Sequence, residues 1–445
     1  MNKELITEIQ NSDLETLIEV LSKVKEIAGD ALFKAVGNRD QMNAKKLIQA
    51  GADVNFVRYN NGWTPLMQAA SDGQKEIAQI LIDEGSHIDM QNHDGLTALM
   101  LAAYEGKKEI AQILINKGAR IDMKNNEGVT ALMIAAQENR KEIFDMLIDK
   151  GAYIDMKNND GVTALMIASQ ENSKKEIVQT LIDKGANLDM QEKDGWTALM
   201  TAVYRKRKDI VRRLLQAGAN INMQKEDGWT ALMIASQENS KKEIVQTLIN
   251  KGANLDIQEE DGWTALMIAS QENSKKEIVQ TLIDAGAHLD MQEKHGWTAL
   301  MIASQKNSKK EIVQTLINKG ASLDIQEEDG ETALTIAVYH KRKDIVRCLL
   351  QAGANINMQN KEGKTALMIA IERKNPVIVQ ELIENGADVL IKDNKGIDAY
   401  NLAMKKGNLL IARMIQEAVK EGLIKRKVAS QQVLMAQNSG RQNGV

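Results

Sequence analysis

The chain has 445 residues, and 57 basic against 61 acidic side chains leave a formal charge of −4, so no bulk charge draws it to nucleic acid or to a membrane surface. Its single cysteine, Cys348, excludes an intramolecular disulfide framework and fits a reducing compartment. The start MNKELITEIQ lacks an apolar signal core and no run of 18 apolar residues occurs, so a cytoplasmic protein without membrane insertion is expected.

Residues 1–29 stand apart from the rest of the chain. Leu5, Ile6 and Ile9, then Leu14, Leu17, Ile18, Leu21 and Val24, recur at helical spacing with a break near Asn11-Ser12-Asp13. That pattern predicts two short helices, the second capped by Ser12 or Asp13 with Glu15 in its first turn. One use is an N-terminal helical cap covering the apolar flank of an open stack; a partner-binding helix is the alternative.

From residue 30 to 420 the text is periodic. Ala31–Ala35, Ala44–Ile48 and Gly51-Ala52-Asp53 form an incomplete first copy. The opening Gly-x-Thr-Ala-Leu then begins at Gly95, Gly128, Gly161, Gly195, Gly228, Gly262, Gly296, Gly330 and Gly363, with a proline form at Gly62 and a degenerate one at Gly396. Successive glycines lie 33 or 34 residues apart, the mark of a solenoid whose units bury their apolar stripes only against neighbours.

Local chemistry predicts two helices in each unit. Thr264 caps the first, as Thr64 does ahead of Pro65. Ser-x-x-Glu boxes at Ser173–Glu176, Ser240–Glu243, Ser274–Glu277 and Ser308–Glu311 open second helices, Asn139 takes that cap in a shorter unit, and Pro376 sits just inside the start of another. Gly252 ends its helix in a left-handed cap. Leu266, Ala269, Ile278, Val279, Leu282 and Ile283 supply the buried stripes.

A block of four units is duplicated. Gly161–Asp194 matches Gly296–Asp329, and Gly195–Asp227 matches Gly330–Glu362, both at an offset of 135 residues. After Gly396 the pattern degrades. Residues 421–445, with Lys425-Arg426-Lys427 followed by polar residues, read as a basic, solvated tail.

The pattern resembles the ankyrin repeat, with Gly62, Thr64, Pro65, Leu66 and Ala69 matching its opening and Gly51-Ala52-Asp53-Val54-Asn55 its close. Later units carry Ala for Pro and mostly Met for His, as in Thr97-Ala98-Leu99-Met100. The resemblance covers about twelve units. It implies an all-α solenoid of helix–turn–helix units with projecting hairpin loops, and usually a protein-binding role. The missing His leaves its hydrogen bonds to be replaced or lost.

All five tryptophans, Trp63, Trp196, Trp229, Trp263 and Trp297, directly follow the hairpin glycine. The resemblance places them on the hairpins, as a stripe that contacts partners or as packing on the next hairpin. Charged residues precede them, as in Glu259-Glu260-Asp261, and an acidic, aromatic edge suits a basic or Arg-rich partner segment. The two residues closing the first helix, which the resemblance puts on the concave face, are often Gln-Glu. In the duplicated units they are Tyr204-Arg205 and Tyr339-His340, followed by Lys206-Arg207-Lys208 and Lys341-Arg342-Lys343. These are either solvated faces or a two-point clamp for something acidic. The partner-binding candidates are therefore the five tryptophans, Tyr204, Arg205, Tyr339, His340, Glu260 and Asp261.

No catalytic, metal or cofactor site is expected. The five histidines make no ligand spacing, and there is no phosphate loop, GxSxG or Cys/His dyad. The expectation is a monomeric, non-enzymatic protein–protein interaction scaffold that takes a protein partner, not nucleic acid, along the hairpin edge and concave groove. One alternative is a secreted or regulatory effector that recruits or inhibits a host protein, because the Met/Lys/Asn-rich text resembles ankyrin proteins of host-associated bacteria. Another is a spacer without a tight ligand.

Overall fold

The computed structural model describes residues 14–237, 242–271, 276–305 and 310–420. The predicted caps at Ser12 or Asp13, the serines of the boxes at Ser240, Ser274 and Ser308, and the tail 421–445 lie outside the described residues. The chain forms two compact units, Met1–Glu226 and Asp227–Val445. Each is a succession of paired helices. The first helix of a repeat packs on its own second helix and on first helices of adjacent repeats.

In the C-terminal unit the repeat beginning at Gly262 explains the rest. Its first helix is Ala265–Gln271 and its second Lys276–Asp284. The Thr264 hydroxyl accepts the Met267 N–H at 3.3 Å, and Met267 Sδ accepts the Thr264 N–H at 3.4 Å. Thr230–Met233 and Thr298–Met301 repeat this exchange, and Thr335 makes it through its hydroxyl, 2.7 Å from the Thr332 nitrogen. The residue standing where the related pattern has His thus still accepts a bond at the helix start, weakly when the acceptor is sulfur.

The apolar residues do the packing. Leu266, Met267, Ile268 and Ala269 of the first helix and Ile278, Val279, Leu282 and Ile283 of the second are all buried, and the alanines let helices approach closely. The second helix then stops in two bonds, Gly286 N–H to Ile283 O and Ala287 N–H to Leu282 O, with Gly286 left-handed at φ 96°. That is the Schellman pattern, which satisfies carbonyls the helix leaves unpaired.

Hairpins stack through one backbone bond per repeat, such as Lys294 N–H to Asp261 O at 2.9 Å and Glu328 N–H to His295 O at 2.9 Å. Gln258 Nε2 adds two bonds, to its own Gly262 O at 2.7 Å and to Gln292 O in the next hairpin at 2.9 Å. Gly262 is obligatory on two counts. Its φ is 87°, and a Cβ there would meet the Glu293 Cα at 2.9 Å.

The N-terminal unit repeats this plan from Pro65–Asp72 to Lys208–Gln216. Thr64, Thr97, Thr130, Thr163 and Thr197 each cap a first helix through the hydroxyl. Its entry differs. One helix, Leu14–Gly37, runs unbroken past residue 29. Leu32, Phe33 and Val36 are buried near its end, where the helix packs on Gln41–Gln49 and Pro65–Asp72, while Ile18, Leu21, Val24 and Ile27 stand exposed.

Two predicted caps are corrected. Lys175–Asp183 starts after Lys174 with no side-chain cap, following a short 3-10 turn Asn172–Lys174, and the Ser173 hydroxyl bonds Glu171 instead. The extra residue of the 34-residue unit is taken up by that turn, which moves Ser173 out of the capping place. Asn139 does not cap either: Arg140 precedes the helix Lys141–Asp149 without a side-chain bond, and Asn139 is left-handed at φ 55°. Lys206 and Lys341 take the same conformation at the same place. The tight turn demands a left-handed residue there, and Asn meets that demand at lower cost than Lys. Pro376 does sit at the first helical position, behind an Asn375 side chain that accepts the Ile378 N–H.

Candidate functional site

The hairpin corner holds each aromatic residue. Three places before the hairpin glycine stands an oxygen-bearing side chain that accepts the N–H groups two and four residues on. Glu259 accepts from Asp261 and Trp263, both at 2.9 Å, and Glu293 from His295 at 2.8 Å and Trp297 at 2.9 Å. Glu192 does the same for Asp194 and Trp196. Lys225 occupies this place ahead of Trp229 and offers no acceptor, so Asp227 Oδ1 takes the Trp229 N–H at 3.2 Å. The Lys225 ammonium lies 6.0 Å from the centroid of the Trp196 ring.

All five tryptophans are half-buried. In the N-terminal unit Trp196 meets Tyr204 edge to face, centroids 5.5 Å apart and planes at 77°, and the Arg205 guanidinium lies 5.6 Å from the Tyr204 ring. The hairpin tryptophan and the tyrosine closing the helix Ala198–Tyr204 are therefore one surface, not two separate candidates. Trp63, in the same unit, has its N–H bonded to Asn61 Oδ1 at 3.2 Å.

In the C-terminal unit a cavity of about 320 Å³ opens between two indoles. Trp263 and Trp297 flank it, Gln271 and Gln305 close it from the ends of their helices, and Asp261, Glu293 and His295 border it on the hairpins, with Ile302 also in the lining. Asp261 pairs with Lys294 at 3.4 Å. His295 Nδ1 lies 3.0 Å from Glu328 Oε2, and that bond, with the charge of Glu328 and Glu293 behind it, raises His295 above the usual histidine range. Glu260 is exposed at the hairpin tip, its N–H bonded to Asp227 O at 3.0 Å.

Tyr339 and His340 have a different setting from their sister residues. The Arg373 guanidinium sits 4.2 Å over the Tyr339 ring and its Nε donates to Tyr339 O at 3.1 Å, while the His340 ring lies 5.2 Å away on the centroid measure. Burial, with Arg342 and Arg373 nearby, pushes His340 below the usual range. The tryptophan place in this copy holds Glu331, whose Oε1 accepts from Asn360 Nδ2 at 2.7 Å and whose Oε2 is buried without a partner.

The eight-residue step from hairpin aromatic to helix end is the signal sequence reading left unused. It joins Trp196 to Tyr204, Trp263 to Gln271 and Trp297 to Gln305. Among the described residues no group of three or more His, Cys, Asp or Glu is placed to hold a metal, and no helix is long and apolar enough to cross a membrane. Cys348 is buried, and burial pushes its thiol up, away from the reactive thiolate.

Comparison with known proteins agrees with this architecture. A family model described as ankyrin repeats (3 copies) matches residues 5–92, 81–158, 151–225, 217–292 and 272–360, and one described as ankyrin repeats (many copies) matches 349–403. A stretch of 64 residues, 14% of this chain, is 43% identical to protein phosphatase 1 regulatory subunit 27 of Mus musculus, and likewise to that of Homo sapiens. A stretch of 55 residues, 12% of this chain, is 38% identical to the 2-5A-dependent ribonuclease of Homo sapiens. The matches span 41% of each phosphatase subunit and 7% of the ribonuclease.

Proposed function

This chain belongs to the ankyrin-repeat family, and on that premise we propose that it is a non-enzymatic protein–protein interaction scaffold. Members of such a family generally work by binding proteins. The contact surface in each unit is where hairpin aromatics meet the ends of the first helices, and it is best formed between Trp263 and Trp297.

One observation carries this reading. Tryptophans recur at one fixed place in the repeat, half-buried, and two of them, Trp263 and Trp297, border a cavity with polar and acidic groups at its edge. Rigid aromatic side chains beside satisfied polar groups are what an interface anchor needs, and a folded array has already lost the entropy of arranging them. The abundant carboxylates recur in nearly every repeat, whereas a general acid–base pair needs one unusual environment. Several of them are spent inside the hairpin turns.

The test is capture from cell lysate by wild type and by the Trp196/Trp229/Trp263/Trp297→Ala variant, both first verified as folded by circular dichroism. The expected result is a protein retained by wild type and lost by the variant. Retention by both, or by neither, contradicts the proposal.

A further inference from the structure

The chain carries an internal control for what the slot between Trp263 and Trp297 accepts. Trp196 has a cation of its own: Lys225, three residues before the next hairpin glycine, lies over its ring. In the two following hairpins the same place holds Glu259 and Glu293. Glu293 therefore holds, relative to Trp263, the sequence place that Lys225 holds relative to Trp196, and it lines the same cavity as Trp263 while its Oε1 accepts from His295 and Trp297. We propose that the Trp263–Trp297 slot is a binding site for a cationic side chain, arginine or lysine, presented by the protein partner. This rests on the scaffold reading above and names the chemistry of its ligand.

Charge and shape both favour that occupant. Glu293 is 7% exposed and lines the slot with Asp261. Around it Asp261, Glu293 and Glu328 face Lys294 and His295, the lysine paired with Asp261 and the histidine with Glu328. The surroundings stay negative whichever form His295 takes. An aromatic face attracts a cation through its quadrupole, and a nearby carboxylate adds to that attraction. Gln271 and Gln305 offer side-chain carbonyls, which suit a guanidinium or ammonium. A cavity of about 320 Å³ admits one long side chain and not a compact fold.

The probe is N-acetyl-arginine amide, compared with N-acetyl-citrulline amide, which has nearly the same shape and no charge. Nitrogen-15 labelling of the indoles gives one signal for each tryptophan, assigned by single Trp→Phe variants. Titration of the folded full chain is expected to move the Trp263 and Trp297 signals with arginine, roughly 3- to 10-fold more tightly than with citrulline. Asp261→Asn with Glu293→Gln keeps the acceptors of the hairpin turn and is expected to abolish that preference. Trp196 is expected to respond poorly until Lys225→Glu removes its built-in cation, and then to respond like Trp263.

Equal response to citrulline, or none to arginine at Trp263 and Trp297, overturns the proposal. So does a preference that survives loss of both carboxylates. A silent slot in a chain that still captures a partner through its tryptophans leaves the scaffold and removes the cation site. A responsive slot in a chain that captures nothing does the reverse.

Discussion

Trp196 and Tyr204 meet edge to face with ring centroids 5.5 Å apart. The contact ties a hairpin to the end of the helix Ala198–Tyr204 and makes one surface of two features that lie eight residues apart. Such pairs contribute about 0.5–1.5 kcal/mol beyond the area they bury. Trp196→Ala and Tyr204→Ala are therefore expected to be non-additive, with a coupling of about 0.5–1 kcal/mol in a double-mutant cycle by urea unfolding. Additive losses would mean that the rings are neighbours without interaction.

Gly262 and Gly252 separate two roles of left-handed glycine. Both have positive φ, near 87° and 88°, but a Cβ at Gly262 runs into the next hairpin and one at Gly252 meets nothing within 4 Å. Gly252→Ala is expected to cost about 1–2 kcal/mol, the left-handed penalty alone. Gly262→Ala is expected to cost roughly 1–3 kcal/mol more, from the forced shift of the Glu293 backbone. Equal losses would mean that hairpin stacking contributes nothing to stability.

His295 and His340 are expected to titrate on opposite sides of the ordinary value of 6.5, His295 above and His340 below. Side-chain NMR of the two rings checks this. The stability consequence has opposite sign for the two. The His295–Glu328 pair stabilises below pH 6.5 and loses that contribution as pH climbs through the raised folded value, so His295→Gln weakens the fold at about pH 5.5 and not at about pH 9. His340 binds its proton more readily when unfolded, so stability falls as pH drops below 6.5, and His340→Gln relieves that loss. The same order in both rings, or no effect of either substitution, would contradict the pairing described.

Cys348 is 3% exposed and its thiol is pushed up by burial. Ellman's reagent is expected to label it only once denaturant opens the C-terminal unit. Prompt labelling of the native protein would place the thiol at the surface.

The fold was legible because the signals that specify it are local and repeated. Thr264, Gly286 and the Leu266–Ala269 stripe can each be read within a few residues of text, and their recurrence every 33 or 34 positions announces the stacking in which the stripe is buried. Where two local rules competed for one residue, reading failed: Asn139 is both a good cap and a good left-handed residue, and only the shared turn with Lys206 and Lys341 decides between them. The site was less legible because the contact of Trp196 with Tyr204 depends on how a side chain leaves its hairpin, which composition does not encode. The unlike settings of the duplicated Tyr204 and Tyr339 were likewise hidden, since Arg373, which covers Tyr339, belongs to the following repeat.

The central claim is that the partner binds where Trp263 and Trp297 meet the ends of the first helices in the C-terminal unit, and not on the second helices of that unit. The most direct measurement compares capture of one partner by Trp263→Ala/Trp297→Ala and by Gln246→Ala/Gln280→Ala, the latter pair changing second-helix residues of the same unit. Gln246 and Gln280 donate within their own helices, to Asn250 and Asp284. Binding along the aromatics predicts loss of the partner in the tryptophan variant and full retention in the glutamine variant, with both folded. Loss in the glutamine variant and retention in the tryptophan variant would contradict it.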